Sequence, residues 1–304
     1  MSKYLVTGGA GFIGSHLAHA LIAQGHQVVV ADSLVTGRRE NVPAAAEFRE
    51  LDLSHIEAAR KAVDGCDYVL HQAAIPSVPR SVRDPLTSHL ANVDATLNVL
   101  IAARDAGCKR LVYAGSSSAY GDTPTLPKHE GMPGNPRSPY ALQKYTGEQY
   151  CQMFTRLYGF ETVTTRYFNV FGPRQLATSP YSGVISLFIK AALANTSPTI
   201  HGDGRQTRDF TYIDNVVDGV LRAVTAPAAG EVINVASGGR ISLLEMWEAL
   251  RRQTGATAEP TFGPAREGDV QDSQADITKA ARLLGYQPVV EFSEGLRRTL
   301  EWTR

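Results

Sequence analysis

A glycine-rich turn between a short apolar strand and an amphipathic helix constrains the fold of this chain most strongly. In the segment KYLVTGGAGFIGSHLAHALIAQG, the glycines Gly8, Gly11 and Gly14 recur at every third position, directly after the strand and at the start of the helix. The first permits a tight turn, the second lets the backbone approach a pyrophosphate, and the third lets helix and strand pack closely. The free N–H groups of the helix N-terminus favour an anion there. Taken alone, the spacing also fits a plain strand-to-helix turn.

Short β-branched segments alternate with longer amphipathic ones through the first half of the chain. The predicted strands are KYLVT, QVVVAD, DYVLHQA, KRLVYA and ETVTTRYF. The predicted helices cover residues 14–25, 55–63, 85–106 and 138–158. This alternation is typical of a parallel sheet with helices on both faces. We therefore predict an α/β fold, a doubly wound parallel Rossmann sheet with a smaller α/β C-terminal substrate domain.

The alternation breaks down after Phe168 into Gly- and Pro-rich connections such as FGPRQLATSP and IHGDGRQTRD. A chain of 304 residues suits one large and one smaller domain. We predict a nucleotide-binding domain over residues 1–167 and a substrate domain over residues 168–304. The two are interleaved, because residues 210–236, which include VVDGVLRAV and all but the last residue of EVINVAS, are expected to return to the first domain.

Composition excludes several classes of function. The 30 basic and 30 acidic residues cancel, so no net field attracts nucleic acid or an anionic membrane. The three cysteines are widely spaced and form no CxxC motif, which predicts neither a disulfide framework nor a metal site and favours a reducing compartment. There is no signal-peptide pattern and no run of about 18 apolar residues. We therefore expect a cytoplasmic protein.

An acidic residue at the end of the second predicted strand indicates which dinucleotide the turn binds. Asp32 lies 18 residues after the last of the three glycines. A carboxylate there accepts hydrogen bonds from ribose hydroxyls and repels a 2′-phosphate, which favours NAD over NADP. Arg38 and Arg39 follow and could meet a 2′-phosphate, although a solvated loop is the alternative. Asp52 and Leu53, after the next short strand, are expected to contact adenine, with a helix-capping aspartate as the alternative.

A tyrosine and a lysine share one face of the predicted helix at 138–158. Tyr140 and Lys144 in SPYALQKY lie four residues apart, a spacing also common in surface pairs. Ser116 follows the strand KRLVYA, at the edge where open α/β sheets bind their ligands. A phenol has an ordinary pKa of about 10, and a neighbouring ammonium and a nicotinamide cation would both favour the phenolate. We therefore interpret these residues as a proton-transfer group in which Ser116 shares the proton.

Several motifs together resemble the extended short-chain dehydrogenase/reductase superfamily. These are TGGAGFIG, Asp32, the Ser-x-x-x-Tyr of SSSAYG, YALQK and RYFNVFGPR. More narrowly, the chain resembles the nucleotide-sugar 4-epimerases of the UDP-glucose/UDP-N-acetylglucosamine type, from Lys3 to Arg304. The resemblance implies an enzyme that keeps NAD bound and acts on a UDP-sugar. It also implies a homodimer built from the helices at 85–106 and 138–158, and a role in polysaccharide precursor synthesis.

The resemblance assigns three groups of residues to the site. The catalytic residues are Ser116, Tyr140 and Lys144. The NAD contacts are Gly8, Gly11, Phe12, Ile13, Gly14, Asp32, Asp52, Leu53, Ala73, Asn92, Tyr140 and Lys144. The UDP-sugar contacts are Ser117, Ser118, Asn169, Gln175, Arg208, Arg266, Asp269 and Ser273. Asn92 could instead be a buried polar residue, and the two arginines could form structural salt bridges, although a planar guanidinium suits a diphosphate.

The residues that follow Ser116 favour one reaction within this superfamily. In the related 4,6-dehydratases that position is followed by Asp-Glu, and in UDP-glucuronate decarboxylases a glutamate appears there. Here Ser117 and Ser118 follow, and neither supplies an acid for elimination. The resemblance therefore implies C4 epimerisation through a 4-keto intermediate. A UDP-glucuronate 4-epimerase, a dehydratase or decarboxylase, a reductase and a non-catalytic dinucleotide sensor remain alternatives.

The identity of the sugar is less constrained. In the resembled family, a small residue at the position of Ser273 accompanies acceptance of N-acetylated hexoses, and a tyrosine accompanies restriction to glucose and galactose. Ser273 leaves room for an acetamido group. Pro76 and the segment LATSPYSGV depart from the pattern of the N-acetylglucosamine branch. Both N-acetylated and plain hexoses therefore remain open as substrates.

Overall fold

The computed structural model describes residues 1–175, 184–264 and 271–304. Within these residues the strands are β1 (Lys3–Thr7), β2 (Gln27–Asp32), β3 (Glu47–Glu50), β4 (Tyr68–His71), β5 (Arg110–Ser116), β6 (Glu161–Tyr167), β7 (Val170–Phe171), β8 (Thr199–His201), β9 (Thr207–Arg208), β10 (Thr211–Tyr212), β11 (Val232–Val235), β12 (Ile241–Ser242) and β13 (Thr261–Gly263). The helices are α1 (Phe12–Ala23), α2 (Ile56–Val63), α3 (Val78–Arg83), α4 (Pro85–His89), α5 (Ala95–Asp105), α6 (Pro139–Tyr158), α7 (Val184–Leu193), α8 (Ile213–Thr225), α9 (Leu243–Thr254), α10 (Thr278–Leu284) and α11 (Phe292–Thr303). A π-helical segment, Leu90–Asp94, joins α4 to α5, and 3₁₀ turns cover Arg39–Asn41 and Ser117–Tyr120.

A seven-stranded parallel sheet in the order β11-β6-β5-β4-β1-β2-β3 forms the centre of the molecule. The order extends the doubly wound arrangement of a Rossmann fold by one strand. Two hydrophobic cores flank it, one under α1 and α8 and the other under α2, α5 and α6. Strand β1 shows how the sequence supplies both, because Tyr4 and Val6 enter the first core and Leu5 enters the second. The predicted fold class is confirmed.

The seventh strand comes from beyond the break in the alternating pattern. β11 pairs with β6 in parallel, with Val232 opposite Thr164. The helix before it, α8, packs over β5 and β6. The sheet therefore includes one strand from beyond Phe168. The division into domains between residues 167 and 168 stays a prediction.

The helix predicted at 85–106 is present but is not α-helical throughout. Its middle, Leu90–Asp94, is a π-helical segment, in which one extra residue fits into the turn. Asn92 lies in this segment, and its backbone oxygen accepts a hydrogen bond from the Thr96 hydroxyl (2.7 Å). The periodicity of apolar residues does not reveal such a local change of helix type.

Three two-stranded sheets, β10-β7, β12-β9 and β13-β8, lie outside the main sheet. Asp209 connects this region to the end of β11, because its carboxylate accepts hydrogen bonds from the N–H groups of Ser237 (2.9 Å), Gly238 (2.9 Å) and Ala275 (3.2 Å). All three cysteines are buried and unpaired. No helix in the described part of the chain is long and apolar enough to cross a membrane.

Candidate active site

A cleft of about 1040 Å³ opens at the carboxyl ends of β1, β2, β4, β5 and β6. This volume lies at the upper end of ordinary ligand sites. Of the residues predicted from the sequence, those that line the cleft are Gly8, Gly11, Phe12, Ile13, Gly14, Asp32, Asp52, Leu53, Ala73, Ser116, Ser117, Ser118, Tyr140, Lys144, Asn169 and Gln175. Residues far apart in the sequence are thus brought together at one edge of the sheet.

The glycine turn has the shape that a dinucleotide requires. Gly8 has a φ of +65°, and a Cβ there would lie 2.7 Å from the backbone nitrogen of Ala73. A Cβ on Gly14 would overlap the carbonyl oxygen of Gly8. Gly11 is the N-cap of α1 and has no side chain to satisfy the N–H groups of the first turn. The turn is therefore a backbone cradle beside uncapped N–H donors, which fits a pyrophosphate.

Asp32 is held in one orientation by the backbone around it. Its Oδ2 accepts a hydrogen bond from the Ala10 N–H (3.0 Å), and its Oδ1 accepts one from the Leu34 N–H (2.8 Å). Burial raises the pKa of Asp32, and these two N–H donors oppose that rise. Each carboxylate oxygen can accept a further bond, so the group fits ribose hydroxyls on the wall of the cleft. Together with the glycine cradle, this geometry fits NAD.

The next acidic residue, Asp52, is not a cap of α2. Its Oδ1 accepts hydrogen bonds from the N–H (3.0 Å) and hydroxyl (2.8 Å) of Ser54, whereas the N-cap of α2 is His55. The carbonyl oxygen of Leu53 accepts a bond from the side chain of Asn98 (3.1 Å). The turn before α2 is thereby fixed, with Asp52 and Leu53 on the surface of the cleft.

Asn92, which was expected to contact NAD, lies behind the cleft. Its side chain is 1% exposed and bonds to both the N–H (2.7 Å) and the C=O (3.3 Å) of Ile75. It also donates to the Gln143 side chain on α6 (2.9 Å). The contacts of Asn92 therefore match the buried polar alternative: it holds the loop after β4 against α6.

The serine, tyrosine and lysine of the predicted proton-transfer group meet at the end of β5. Ser116 is the last residue of β5, and its hydroxyl bonds to the Ser118 hydroxyl (2.8 Å) and accepts from the Ser118 N–H (3.2 Å). Lys144 Nζ donates to the Ala114 carbonyl oxygen (3.0 Å). The N–H of Tyr140 donates to the Ser81 hydroxyl (3.0 Å), which fixes the first turn of α6.

Burial dominates the electrostatics of Tyr140 and Lys144. It raises the pKa of the Tyr140 phenol, and a hydrogen bond with the Ser116 hydroxyl opposes that rise. It lowers the pKa of Lys144 to about 8. Burial is the larger of the two effects on the phenol in the protein alone, and the expected effect of Lys144 together with a nicotinamide cation stays a prediction. Ser116 is the neighbour that favours the phenolate.

A buried histidine next to this group was missed by the sequence analysis. The Thr7 hydroxyl accepts from the N–H groups of Gln72 (3.1 Å) and Ala73 (3.2 Å), so its own proton goes to His71 Nδ1 (2.7 Å). His71 Nε2 must then carry the ring proton and donate it to the Thr96 hydroxyl (3.0 Å). Burial, and secondarily the charge of Lys144, lower the pKa of His71 to about 3. This neutral ring fixes the backbone that faces Gly8.

A buried ion pair between β6 and α6 was also not predicted from the sequence. Glu148 accepts hydrogen bonds from Arg166 Nε (2.7 Å) and Nη2 (2.6 Å), and the two side chains are only 2% and 3% exposed. The Arg166 guanidinium lies 4.4 Å from the centre of the Tyr120 ring. Glu148 follows Lys144 by one helical turn, so the pair holds the face of α6 that carries Lys144 against β6.

The predicted substrate residues are distributed more widely. The Asn169 side chain donates to the Asp209 carbonyl (3.1 Å), and Gln175 donates to the Val170 carbonyl (2.9 Å). Arg208 lies in β9 and donates to the Thr207 carbonyl (2.8 Å), and the backbone of Ser273 pairs with the same residue (3.1 Å). Arg208 and Ser273 are thus neighbours outside the cleft wall described above. Arg266 and Asp269 lie outside the described residues.

The fold and the site define an α/β protein class with a glycine cradle after the first strand, which fits a dinucleotide, and a Ser/Tyr/Lys group at the end of the fifth. The family model described as the NAD dependent epimerase/dehydratase family matches residues 4–236. The chain belongs to this family and is an NAD-dependent enzyme. The resemblance to the nucleotide-sugar 4-epimerases that was predicted from the sequence is confirmed.

Relatives support this assignment over the full length. The chain is 40% identical over 315 residues to the UDP-glucose 4-epimerase of Mycolicibacterium smegmatis, covering 99% of this chain and 98% of the relative. It is similar to the structure of a UDP-glucose 4-epimerase with UDP-glucose from Thermotoga maritima (37% identity, TM-score 0.96, 99% and 98% covered). It is also similar to a UDP-N-acetylglucosamine 4-epimerase from Methanobrevibacter ruminantium (37% identity, TM-score 0.95, 99% and 98% covered).

Proposed function

We propose that this enzyme interconverts the C4 epimers of a UDP-hexose through a transient 4-keto sugar. The observation that carries the proposal is the Ser116, Tyr140 and Lys144 group at the open end of β5, next to the glycine cradle. The two positions after Ser116 are serines, so this segment supplies no acid for elimination of water. The relatives named above act on UDP-glucose or UDP-N-acetylglucosamine, which supports a UDP-hexose as substrate.

The residues of the chain divide the proton transfer between them. NAD, when bound, accepts and returns the C4 hydride. Tyr140 takes the proton from the 4-hydroxyl of the sugar and returns it after the ring has turned over. The Ser116 hydroxyl, which opposes the rise in the pKa of the phenol, orients that proton and stabilises the phenolate. Lys144, fixed on the Ala114 carbonyl, supplies positive charge one turn along the helix.

The 4-keto intermediate must stay in the cleft for the cycle to close. Arg208 and Arg266 are proposed to bind the diphosphate of the UDP-sugar, with Asp269 on the uridine ribose. Asn169 and Gln175 are proposed to contact the substrate near its diphosphate and sugar. Because the uridine diphosphate holds the molecule, the sugar is free to turn within the pocket. Net oxidation is zero, so the cofactor need not be exchanged.

The substrate is proposed to include N-acetylated hexoses. Ser273 supports this, because its small side chain leaves space that a tyrosine would fill. UDP-glucose and UDP-galactose are the second candidates, and UDP-glucuronate is the third. A Ser273→Tyr variant is expected to lose activity on UDP-N-acetylglucosamine while it retains activity on UDP-glucose.

Turnover of three substrates tests the proposal. The purified chain, without added cofactor, is incubated separately with UDP-N-acetylglucosamine, UDP-glucose and UDP-glucuronate, and the C4 epimers are resolved. The expected result is one epimer pair without consumption of NADH. Tyr140→Phe is expected to abolish turnover while NAD stays bound. A 4-keto-6-deoxy sugar, a pentose product or unchanged turnover in Tyr140→Phe would contradict the proposal.

The enzyme is further proposed to act as a homodimer through the helices predicted at 85–106 and 138–158, which include α4 and α6. Large apolar side chains on these helices are exposed in the single chain, with Leu86 at 68%, Leu142 at 54% and Leu157 at 62%. Exposed large apolar side chains on two helices in contact with each other are typical of an interface. Leu142→Glu is expected to shift the mass measured by light scattering from dimer to monomer. The control Leu187→Glu, on α7, is expected to leave it unchanged.

A further inference from the structure

The loop after β7 returns to the first turn of α1, where it meets the glycine cradle. His16 on α1 donates its Nε2 proton to the Pro173 carbonyl oxygen (3.0 Å). The next residue, Arg174, donates from Nη1 to the hydroxyl of Ser15 (3.3 Å). These contacts join positions 157 and 159 residues apart, so the loop is fixed beside the helix N-terminus.

Arg174 is a charged side chain without a counter-ion among the described residues. It is half-buried on the wall of the cleft, and its one side-chain hydrogen bond is to a neutral hydroxyl. Burial lowers the pKa of its guanidinium, and no carboxylate opposes that effect. By contrast Arg38, which lines the same cleft, pairs with Glu40 (3.3 Å). A desolvated cation is costly unless an anion compensates it.

The backbone of Arg174 is also strained. Its φ is +67°, a left-handed conformation that non-glycine residues rarely adopt. Such conformations concentrate at ligand-binding positions, where they aim a side chain. Here the conformation places a guanidinium beside Ser15, next to the uncapped first turn of α1.

The neighbouring histidine does not supply the positive charge. Burial is the main cause that lowers the pKa of His16 to about 4; the hydrogen bond that His16 donates to the Pro173 carbonyl opposes this, and the charge of Arg174 adds to it. His16 is therefore neutral at neutral pH and holds the loop. The pKa of His19 is lowered in the same way by burial and by Arg174. Arg174 is therefore the residue, of these three, that is positively charged at neutral pH.

We infer that Arg174 binds the pyrophosphate of NAD from the side opposite the glycine cradle. The cradle and the N–H groups of α1 hold one side of the anion, and the guanidinium contributes charge-assisted hydrogen bonds from the other. A diphosphate in this cleft could also belong to the UDP-sugar. The contact of Arg174 with Ser15 on the nucleotide-binding helix favours NAD. The inference rests on NAD as the cofactor and not on the identity of the sugar.

Nucleotide binding tests this inference without turnover. NAD content is measured after release from the purified full-length chain, and NAD, ADP-ribose, adenosine and UDP are titrated calorimetrically into nucleotide-free protein. Arg174→Gln is expected to weaken NAD and ADP-ribose by 10- to 100-fold, on the order of two charge-assisted hydrogen bonds. Adenosine, which has no phosphate, and UDP are expected to change less than threefold. Arg174→Lys is expected to recover part of the loss.

A matched control separates the local contact from the loss of one positive charge. Arg60→Gln removes the same charge from an exposed pair with Glu57 on α2 and is expected to leave all four affinities unchanged. If Arg174→Gln weakens UDP and leaves NAD unchanged, the residue belongs to the substrate site and the inference is wrong. Equal losses of affinity for all four ligands would show that the loop merely folds less well, and the inference would be wrong. Unchanged affinities in Arg174→Gln would also overturn the inference. None of these outcomes depends on whether the chain epimerises a sugar.

Discussion

His71 makes the stability of this protein depend on pH in a way that can be calculated from the structure. The ring is fully buried between Thr7 and Thr96, and burial lowers its pKa from 6.5 to about 3. At pH values above 6.5 the ring is neutral in both the folded and the unfolded chain. Below 6.5 the unfolded chain takes up a proton that the folded chain refuses, so stability is lost as the pH falls from 6.5 toward 3.

The expected loss follows from the shift. One pH unit within this window corresponds to about 1.4 kcal/mol, so lowering the pH from 7.5 to 5.0 removes about 2 kcal/mol through His71 alone. His71→Asn keeps an acceptor for the Thr7 hydroxyl and cannot titrate. At pH 7.5 this variant is expected to be less stable by about 1–3 kcal/mol, because the Thr96 hydroxyl loses its donor.

Urea unfolding, followed by the fluorescence of the buried Trp247, measures both quantities. The free energy of unfolding is determined for the wild type and His71→Asn at pH 7.5 and 5.0 and one NAD concentration. Carboxylates and His16 contribute equally to both proteins and cancel in the comparison. The wild type is expected to lose about 2 kcal/mol more than the variant. Equal losses within about 0.5 kcal/mol would refute the neutral, hydrogen-bonded histidine.

Two other substitutions test the cradle and the support of α6. Gly14→Ala forces a Cβ into the Gly8 carbonyl oxygen, so NAD content is expected to fall at least tenfold, whereas Gly239→Ala, whose Cβ would lie 3.3 Å from the Ser237 hydroxyl, is expected to retain it. Normal NAD content in Gly14→Ala would contradict the close packing. Arg166→Met leaves Glu148 buried without a partner and is expected to cost about 3–5 kcal/mol in urea unfolding. The double variant Glu148→Leu/Arg166→Met is expected to recover most of that loss, and equal destabilisation of both would argue against an uncompensated charge.

The parts of the site that lie within one βα unit could be predicted from the sequence. The glycine turn, Asp32 and the Tyr140/Lys144 pair depend on spacing along a single strand and helix, and the structure brings them to one cleft. The alternation of strands and helices predicted a parallel doubly wound sheet, but not the order of its strands.

Contacts between distant segments could not be predicted in this way. Nothing near Arg166 in the sequence indicates that it pairs with Glu148, because the pairing depends on how α6 packs on β6. The position of Arg174 depends on a loop that contacts α1, because Arg174 bonds to Ser15, which is 159 residues away in the sequence. The pKa of the Tyr140 phenol also depends on how completely the folded chain buries it, which a residue pattern does not report.

The most direct test of the proposed reaction follows the hydrogen at C4 of the sugar. UDP-hexose with deuterium at C4 is incubated with the purified enzyme in ordinary water, and the product is analysed by nuclear magnetic resonance. The account predicts the C4 epimer with deuterium retained at C4 and no turnover in Tyr140→Phe. Loss of the deuterium to solvent, a dehydrated or decarboxylated product, or an active Tyr140→Phe variant would contradict it.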